Sequence, residues 1–138
     1  MIEINDSFYV IDAGVAYKDI KDKYFLLSKK VFDPKKLKAI IITHYHGDQI
    51  KSLTTLNNMS KCLIYAPAFL DKIKDQIKKK SPECFNKIDF ESIISRKTIE
   101  IDNIKFKPFS TLHDTIDSVA YLVDYETLKF GYVTDTGK

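Results

Sequence analysis

A chain of 138 residues, 44% hydrophobic and 12% aromatic, is long enough to bury one core and too apolar to stay unfolded, which excludes two full domains and a disordered linker. The net charge of +3 rests almost wholly on lysine, which lacks the planar fork for bidentate phosphate contacts, so charge alone does not establish a nucleic-acid surface. The sequence shows no leader-like charged start with an apolar run behind it, and no run near the roughly 20 apolar residues of a membrane span, so the expectation is a cytoplasmic protein with no membrane partner.

In chain order, Ser7 to Asp12 reads as a buried strand, closed by Ala13 and Gly14, where glycine permits a tight turn. From Tyr17 to Lys30, Ile20, Tyr24, Phe25 and Leu27 recur at helical spacing among lysines and aspartates. Asp33 and Pro34 make a short turn, and the isoleucine-rich segment Lys38 to Thr43 predicts a second buried strand, parallel to the first. Ile50, Leu53 and Leu56 predict a helix, Cys62 to Ala66 a strand, and Phe69, Leu70, Ile73 and Ile77 the apolar face of a further helix begun by Pro67 and ended at Ser81 and Pro82. The lysine run from Asp71 to Lys80 is better read as the solvated face of that helix than as a phosphate-binding patch. Short strands come next, at Asp89 to Ser95, Lys97 to Ile101, Ile104 to Ser110, Val119 to Asp124 and Leu128 to Thr134. Asp102 and Asn103 suit a hairpin, as do Tyr125 to Thr127, and Pro108 marks an edge or bulge. Cys62 and Cys84 form no close pair and are expected as reduced thiols, Cys62 in the core. The sum is an α/β chain whose second half is mostly β, packed sheet on sheet beneath helices.

Chemistry concentrates behind the second buried strand. Of three histidines in the chain, two stand in Thr43-His-Tyr-His-Gly-Asp-Gln49. Alternate residues of an extended or turning segment point to one side, so His44, His46 and Asp48 can converge on one point. His113 and Asp135 each stand just after a predicted strand. Three neutral imidazoles bind a zinc-like ion and leave a place for water, whose pKa the ion lowers. Asp48 is the candidate catalytic group, holding that water or a second ion, and Asp135 could bridge two ions. Asp12, Thr43 and Asp114 are candidates for hydrogen bonds that orient the ligands. Asp114, Asp117 and Asp124 also read as surface loop residues, and Tyr45 and Tyr121 as packing residues.

Taken together, these motifs resemble the metallo-β-lactamase fold. The resemblance rests on Ile11-Asp-Ala-Gly14, on Thr43 to Gln49, on Phe109-Ser-Thr-Leu-His-Asp114 and on Phe130-Gly-Tyr-Val-Thr-Asp-Thr-Gly137. With Ser118-Val-Ala-Tyr121 and the closing Thr-Asp-x-Gly, the chain is most similar to the YycJ/WalJ-type hydrolases, implicated in DNA processing. The resemblance implies an αββα sandwich, residues 1–138 forming the N-terminal portion of a single such domain truncated at both ends. It also implies a metal-dependent hydrolase of phosphodiester bonds, a nuclease or phosphodiesterase acting on nucleic acid or a nucleotide. The ligands it implies are His44, His46, Asp48, His113 and Asp135, for zinc, manganese or iron. Gln49 stands where the family carries a second-site histidine, which favours one ion over two. The family's further histidine beyond the bridging aspartate has no counterpart here. Two alternatives stay open: a metal-binding subunit completed by a second copy or another chain, and a thioester or lactone hydrolase.

Overall fold

Continuous apolar runs become strands buried on both faces. The computed structural model describes residues 1–44, 51–66, 70–80, 82–86, 88–92, 97–111 and 118–134. Strands β1 (Ile2–Ile4), β2 (Ser7–Ile11), β3 (Leu37–Ile41), β4 (Leu63–Ala66) and β5 (Phe90–Ser92) form one sheet in that order, β1 antiparallel to β2 and the remaining pairs parallel. Parallel neighbours require crossovers, and helices α1 (Tyr17–Ser28), α2 (Leu53–Ser60) and α3 (Leu70–Lys80) lie within them, with a short α4 (Pro82–Phe85) behind α3. Strands β6 (Ile99–Ile101), β7 (Ile104–Ser110), β8 (Val119–Tyr125) and β9 (Leu128–Tyr132) form an antiparallel meander.

Alternation along β2 divides the core in two. Phe8 and Val10 face a helix-side cluster with Leu37, Ile40, Ile42, Tyr24, Phe32, Leu53 and Leu56. Tyr9 and Ile11 face the second sheet, against Ala39, Ile41, Ile104, Phe106, Tyr121 and Val123. In β3 the alternation slips once: Phe8 pairs with Leu37 but Tyr9 with Ala39, which leaves Lys38 as an extra, exposed residue. This bulge lets Leu37 and Ile40 share a face although they are three apart. The expected α/β sandwich of two sheets with helices is therefore the observed one, and the buried face of α1, α2 and α3 lies against the first sheet.

Three local expectations change. The α1 stripe was expected to include Phe25 and Leu27, yet these are 51% and 88% exposed. The packed face is instead Tyr17, Ile20 and Tyr24, extended past the helix by Phe32, whose ring meets those of Phe8, Tyr17 and Tyr24. Asp124 is a residue of β8, not of a loop, and lies between the ammonium groups of Lys107 and Lys129 at 3.5 and 3.6 Å. Ile2–Ile4 forms a strand where none was read, because Asn5 and Asp6 both take left-handed φ and close a two-residue hairpin, as Asp102 and Asn103 do between β6 and β7. At Pro108 the edge expectation holds: β6 pairs with Ile104 to Phe106 only, so among the described residues β7 has a partner on one side there. Cys62 is buried, and burial pushes its thiol pKa up.

Candidate metal centre

The parallel strands β2 and β3 end side by side, each giving way to polar residues. Asp12, directly after β2, keeps the sheet running one step further by donating its backbone N–H to the Ile41 carbonyl at 2.9 Å. It does so with a left-handed φ of 59°, a conformation that aspartate tolerates better than most side chains and that turns its carboxylate toward β3. Its Oδ1 accepts the Thr43 N–H at 2.9 Å and its Oδ2 accepts the Thr43 hydroxyl at 2.8 Å. Burial pushes the Asp12 carboxyl pKa up, opposed by these hydrogen bonds and by His44. A cleft of about 380 Å³, walled by Ile11, Gly14, Val15, Ile20 and Tyr132, opens onto the carboxylate.

Thr43 has one hydroxyl proton, and Asp12 takes it. The same oxygen lies 2.8 Å from Nδ1 of His44 and 3.2 Å from Oγ1 of Thr134. Both neighbours must therefore be donors. His44 then carries a hydrogen on Nδ1, and the neutral form of such a ring has its lone pair on Nε2. A fully buried imidazole held through Nδ1 to an oxygen fits a zinc-like ion, which would bind the neutral ring through Nε2 and depends on such partners to set ring orientation. Asp12, Thr43 and His44 thus form one hydrogen-bonded chain.

Other chain segments arrive at the same residue. The Val119 N–H donates to the Thr43 carbonyl at 2.9 Å, and the Tyr121 hydroxyl donates to the Ile42 carbonyl at 2.8 Å, so the start of β8 is fastened to the end of β3. Tyr121 acts there as a packing and anchoring residue, and burial raises its phenol pKa well above the usual value. Across the segment that carries His113, Thr111 and Ser118 are joined twice, N–H to carbonyl at 3.0 Å and hydroxyl to hydroxyl at 2.8 Å. On the far side of Asp12, the Tyr132 hydroxyl approaches Oδ2 at 3.5 Å. The helix behind the motif is tied back as well: the Ser52 N–H donates to the Ala13 carbonyl at 2.8 Å and the Ser52 hydroxyl to the Val15 carbonyl.

Of the residues singled out in the sequence, His44, Asp12 and Thr43 are brought together. Tyr45, His46, Asp48, Gln49, His113, Asp114 and Asp135 lie outside the described residues. Among the described residues no three metal-binding side chains form a group. Thr111, Ser118, Tyr132 and Thr134 were not foreseen. For Thr134 a signal existed, since it precedes Asp135 at a strand end as Thr43 precedes His44.

Comparison with known proteins agrees with this architecture. Residues 9–138 match the family model described as a beta-lactamase superfamily domain. The chain belongs to this family. A search of curated proteins returns no match for this superfamily member. Solved structures with the same fold include the metallo-beta-lactamase GOB-18 from Elizabethkingia meningoseptica, at 18% identity and a TM-score of 0.71, covering 94% of this chain and 51% of that one. The metallo-beta-lactamase fold protein YhfI from Bacillus subtilis has 18% identity and a TM-score of 0.65, over 92% of this chain and 50% of its own. A Cronobacter sakazakii metallo-beta-lactamase with a HARLDQ motif has 15% identity and a TM-score of 0.67, over 88% of this chain and 50% of its own. The superfamily domain therefore spans about half the length of the solved structures it matches. No helix among its described residues is long and apolar enough to cross a membrane.

Proposed function

We propose that this chain is a metal-dependent hydrolase of phosphodiester bonds, a nuclease or phosphodiesterase of the YycJ/WalJ type, in which His44, His46 and His113 hold one zinc-like ion. The observation that carries this reading is the convergence on Thr43: His44 through Nδ1, Val119 at the exit of the His113 segment, and Thr134 immediately before Asp135. An ion so held supplies Lewis acidity and an activated water near neutral pH. With such an ion bound, Asp48 would hold the water or a second ion, and Asp135 would offer a further carboxylate. Gln49 in place of a histidine supports one ion rather than two, since an amide is a poor ligand for zinc, manganese or iron. The mildly basic surface favours a phosphate-bearing substrate, nucleic acid or nucleotide, over a thioester, a lactone or the β-lactams for which several structural neighbours are named. The proposal includes a cytoplasmic location, which the expectation of reduced thiols at Cys62 and Cys84 supports.

The test is cleavage of bis(p-nitrophenyl) phosphate and of single-stranded DNA by purified protein loaded with zinc, manganese or iron. Metal-dependent cleavage that His46→Ala abolishes is the expected result. Turnover of a thioester, lactone or β-lactam without phosphodiester cleavage would replace the substrate assignment.

A second reading has its own support in the half-length match to the solved structures. In it the chain binds metal but turns over only when a second copy or another chain completes the site. Sedimentation settles this: an active monomer rules it out, whereas activity confined to a heavier species establishes it.

A further inference from the structure

We propose that Thr134 is a positioning residue for the metal site, coupling the strand end that leads to Asp135 to the one that carries His44. The inference rests on the metal-site reading above and adds to it a residue outside the ligand set. It starts from the proton count at Thr43. With the hydroxyl proton of Thr43 committed to Asp12, the 3.2 Å contact between Thr43 Oγ1 and Thr134 Oγ1 has one possible donor, the hydroxyl of Thr134. Thr43 Oγ1 therefore accepts two hydrogen bonds, from His44 Nδ1 at 2.8 Å and from Thr134. Two donors and one committed proton leave the Thr43 side chain a single rotamer and a single hydroxyl orientation. Both the imidazole and the backbone after β9 are then referred to one oxygen atom. Tyr132, two residues earlier, reaches Asp12 Oδ2 at 3.5 Å and reinforces the same link from β9 to the carboxylate behind Thr43. The consequence is that the segment entering Asp135 and the ring of His44 hold one relative position before any ion arrives. Pre-set ligands bind more tightly, because the entropy of ordering them is already spent in folding.

The experiment measures zinc affinity of the full chain by competition with a chromophoric chelator, for wild type, Thr134→Val, Thr134→Ala and Thr134→Ser. The two hydroxyl-free variants are expected to bind zinc about tenfold more weakly, the low end of the range for residues that orient metal ligands. Thr134→Ser keeps the donor and is expected to stay within about threefold of wild type by the same reasoning. Having two hydroxyl-free variants guards against a folding failure of either. Wild-type affinity in Thr134→Val or Thr134→Ala overturns the proposal alone. So does a Thr134→Ser variant as weak as the other two, which would show that bulk and not the donor matters. A wild-type chain that binds no zinc overturns this proposal and the metal-site reading together.

Discussion

A single hydroxyl proton decides the chemistry of His44. Because Asp12 accepts from both the backbone N–H and the hydroxyl of Thr43, the imidazole has to donate through Nδ1. Replacing one acceptor oxygen of Asp12 with an amide reverses this order. In Asp12→Asn the remaining oxygen pairs with the Thr43 N–H, and the new NH₂ donates to Thr43 Oγ1. Where Thr134 keeps donating to Thr43, the threonine proton then turns toward His44 Nδ1, which becomes an acceptor, so Nε2 takes up the ring hydrogen and loses the lone pair an ion requires. The expected outcome is a folded protein with zinc affinity lower by about 10- to 100-fold. Nitrogen-15 spectra of the histidine rings in the metal-free protein check the cause: His44 should change from the Nδ1–H to the Nε2–H tautomer. Nδ1–H retained in Asp12→Asn and also in Asp12→Asn with Thr134→Val, where the threonine proton has no other acceptor among the described residues, would sink the proton count on which this reading of the site depends.

At the scale of elements, patterning in the sequence determines which strands exist better than which face of a helix is buried. Ile104–Ser110 is a strand with the expected bounds, and the isoleucine-rich β3 is buried on both sides as its composition requires. The β1 hairpin was missed because three residues carry too short an alternation to register, and its turn residues Asn5 and Asp6 were not read as a two-residue turn. Helix α1 misled for another reason: Phe25, Leu26 and Leu27 are apolar in succession, and successive residues cannot share a helix face. Only packing shows that the inward stripe ends at Tyr24 and is taken over by Phe32. Of the candidate site, the strand ends and the meeting of Asp12, Thr43 and His44 were legible, since strand ends and residue types can be read directly, while His46, Asp48, His113 and Asp135 lie outside the described residues. The contact of Thr134 with Thr43 was not legible, because it joins residues far apart in the chain, and the place of Thr134 before Asp135 marks a strand end without naming its partner. The division of α1 has measurable consequences. Leu27→Lys should change unfolding free energy by no more than about 0.5 kcal/mol, as for an exposed position. Phe32→Ala removes a ring packed against three others and should cost about 3–5 kcal/mol. Urea denaturation of the two variants tests the assignment, and equal losses would refute it.

The whole molecule is two sheets held at both ends. At the end that carries His44 the fastenings are Tyr121 to Ile42, Val119 to Thr43 and Thr134 to Thr43. At the opposite end they are Tyr9, whose hydroxyl donates to Asp102 at 2.7 Å, and Asn5, whose amide donates to the Tyr125 hydroxyl at 3.0 Å. The hairpin turns therefore do structural work far from any chemistry, fixing how the second sheet lies on the first and so how β8 and β9 reach Thr43. This distal clasp has a pH signature. Burial first, and then the hydrogen bond to Asp102 and that carboxylate's charge, hold the Tyr9 phenol pKa well above its ordinary value. In the unfolded chain the same phenol ionises near pH 10. Above that pH the unfolded state has released a proton that the folded state still holds, so rising pH favours unfolding; the stability Tyr9 supplies is fully present below pH 10 and is lost as pH climbs toward the folded-state pKa. Tyr9→Phe should cost about 1 kcal/mol at neutral pH through the lost hydrogen bond, with Asp102 turning to solvent. The same variant should lose less stability than wild type between about pH 10 and pH 11.5, because the phenylalanine has no proton to release. Denaturant midpoints of both proteins across that interval decide it: parallel curves would mean that Tyr9 does not carry the alkaline sensitivity of the clasp.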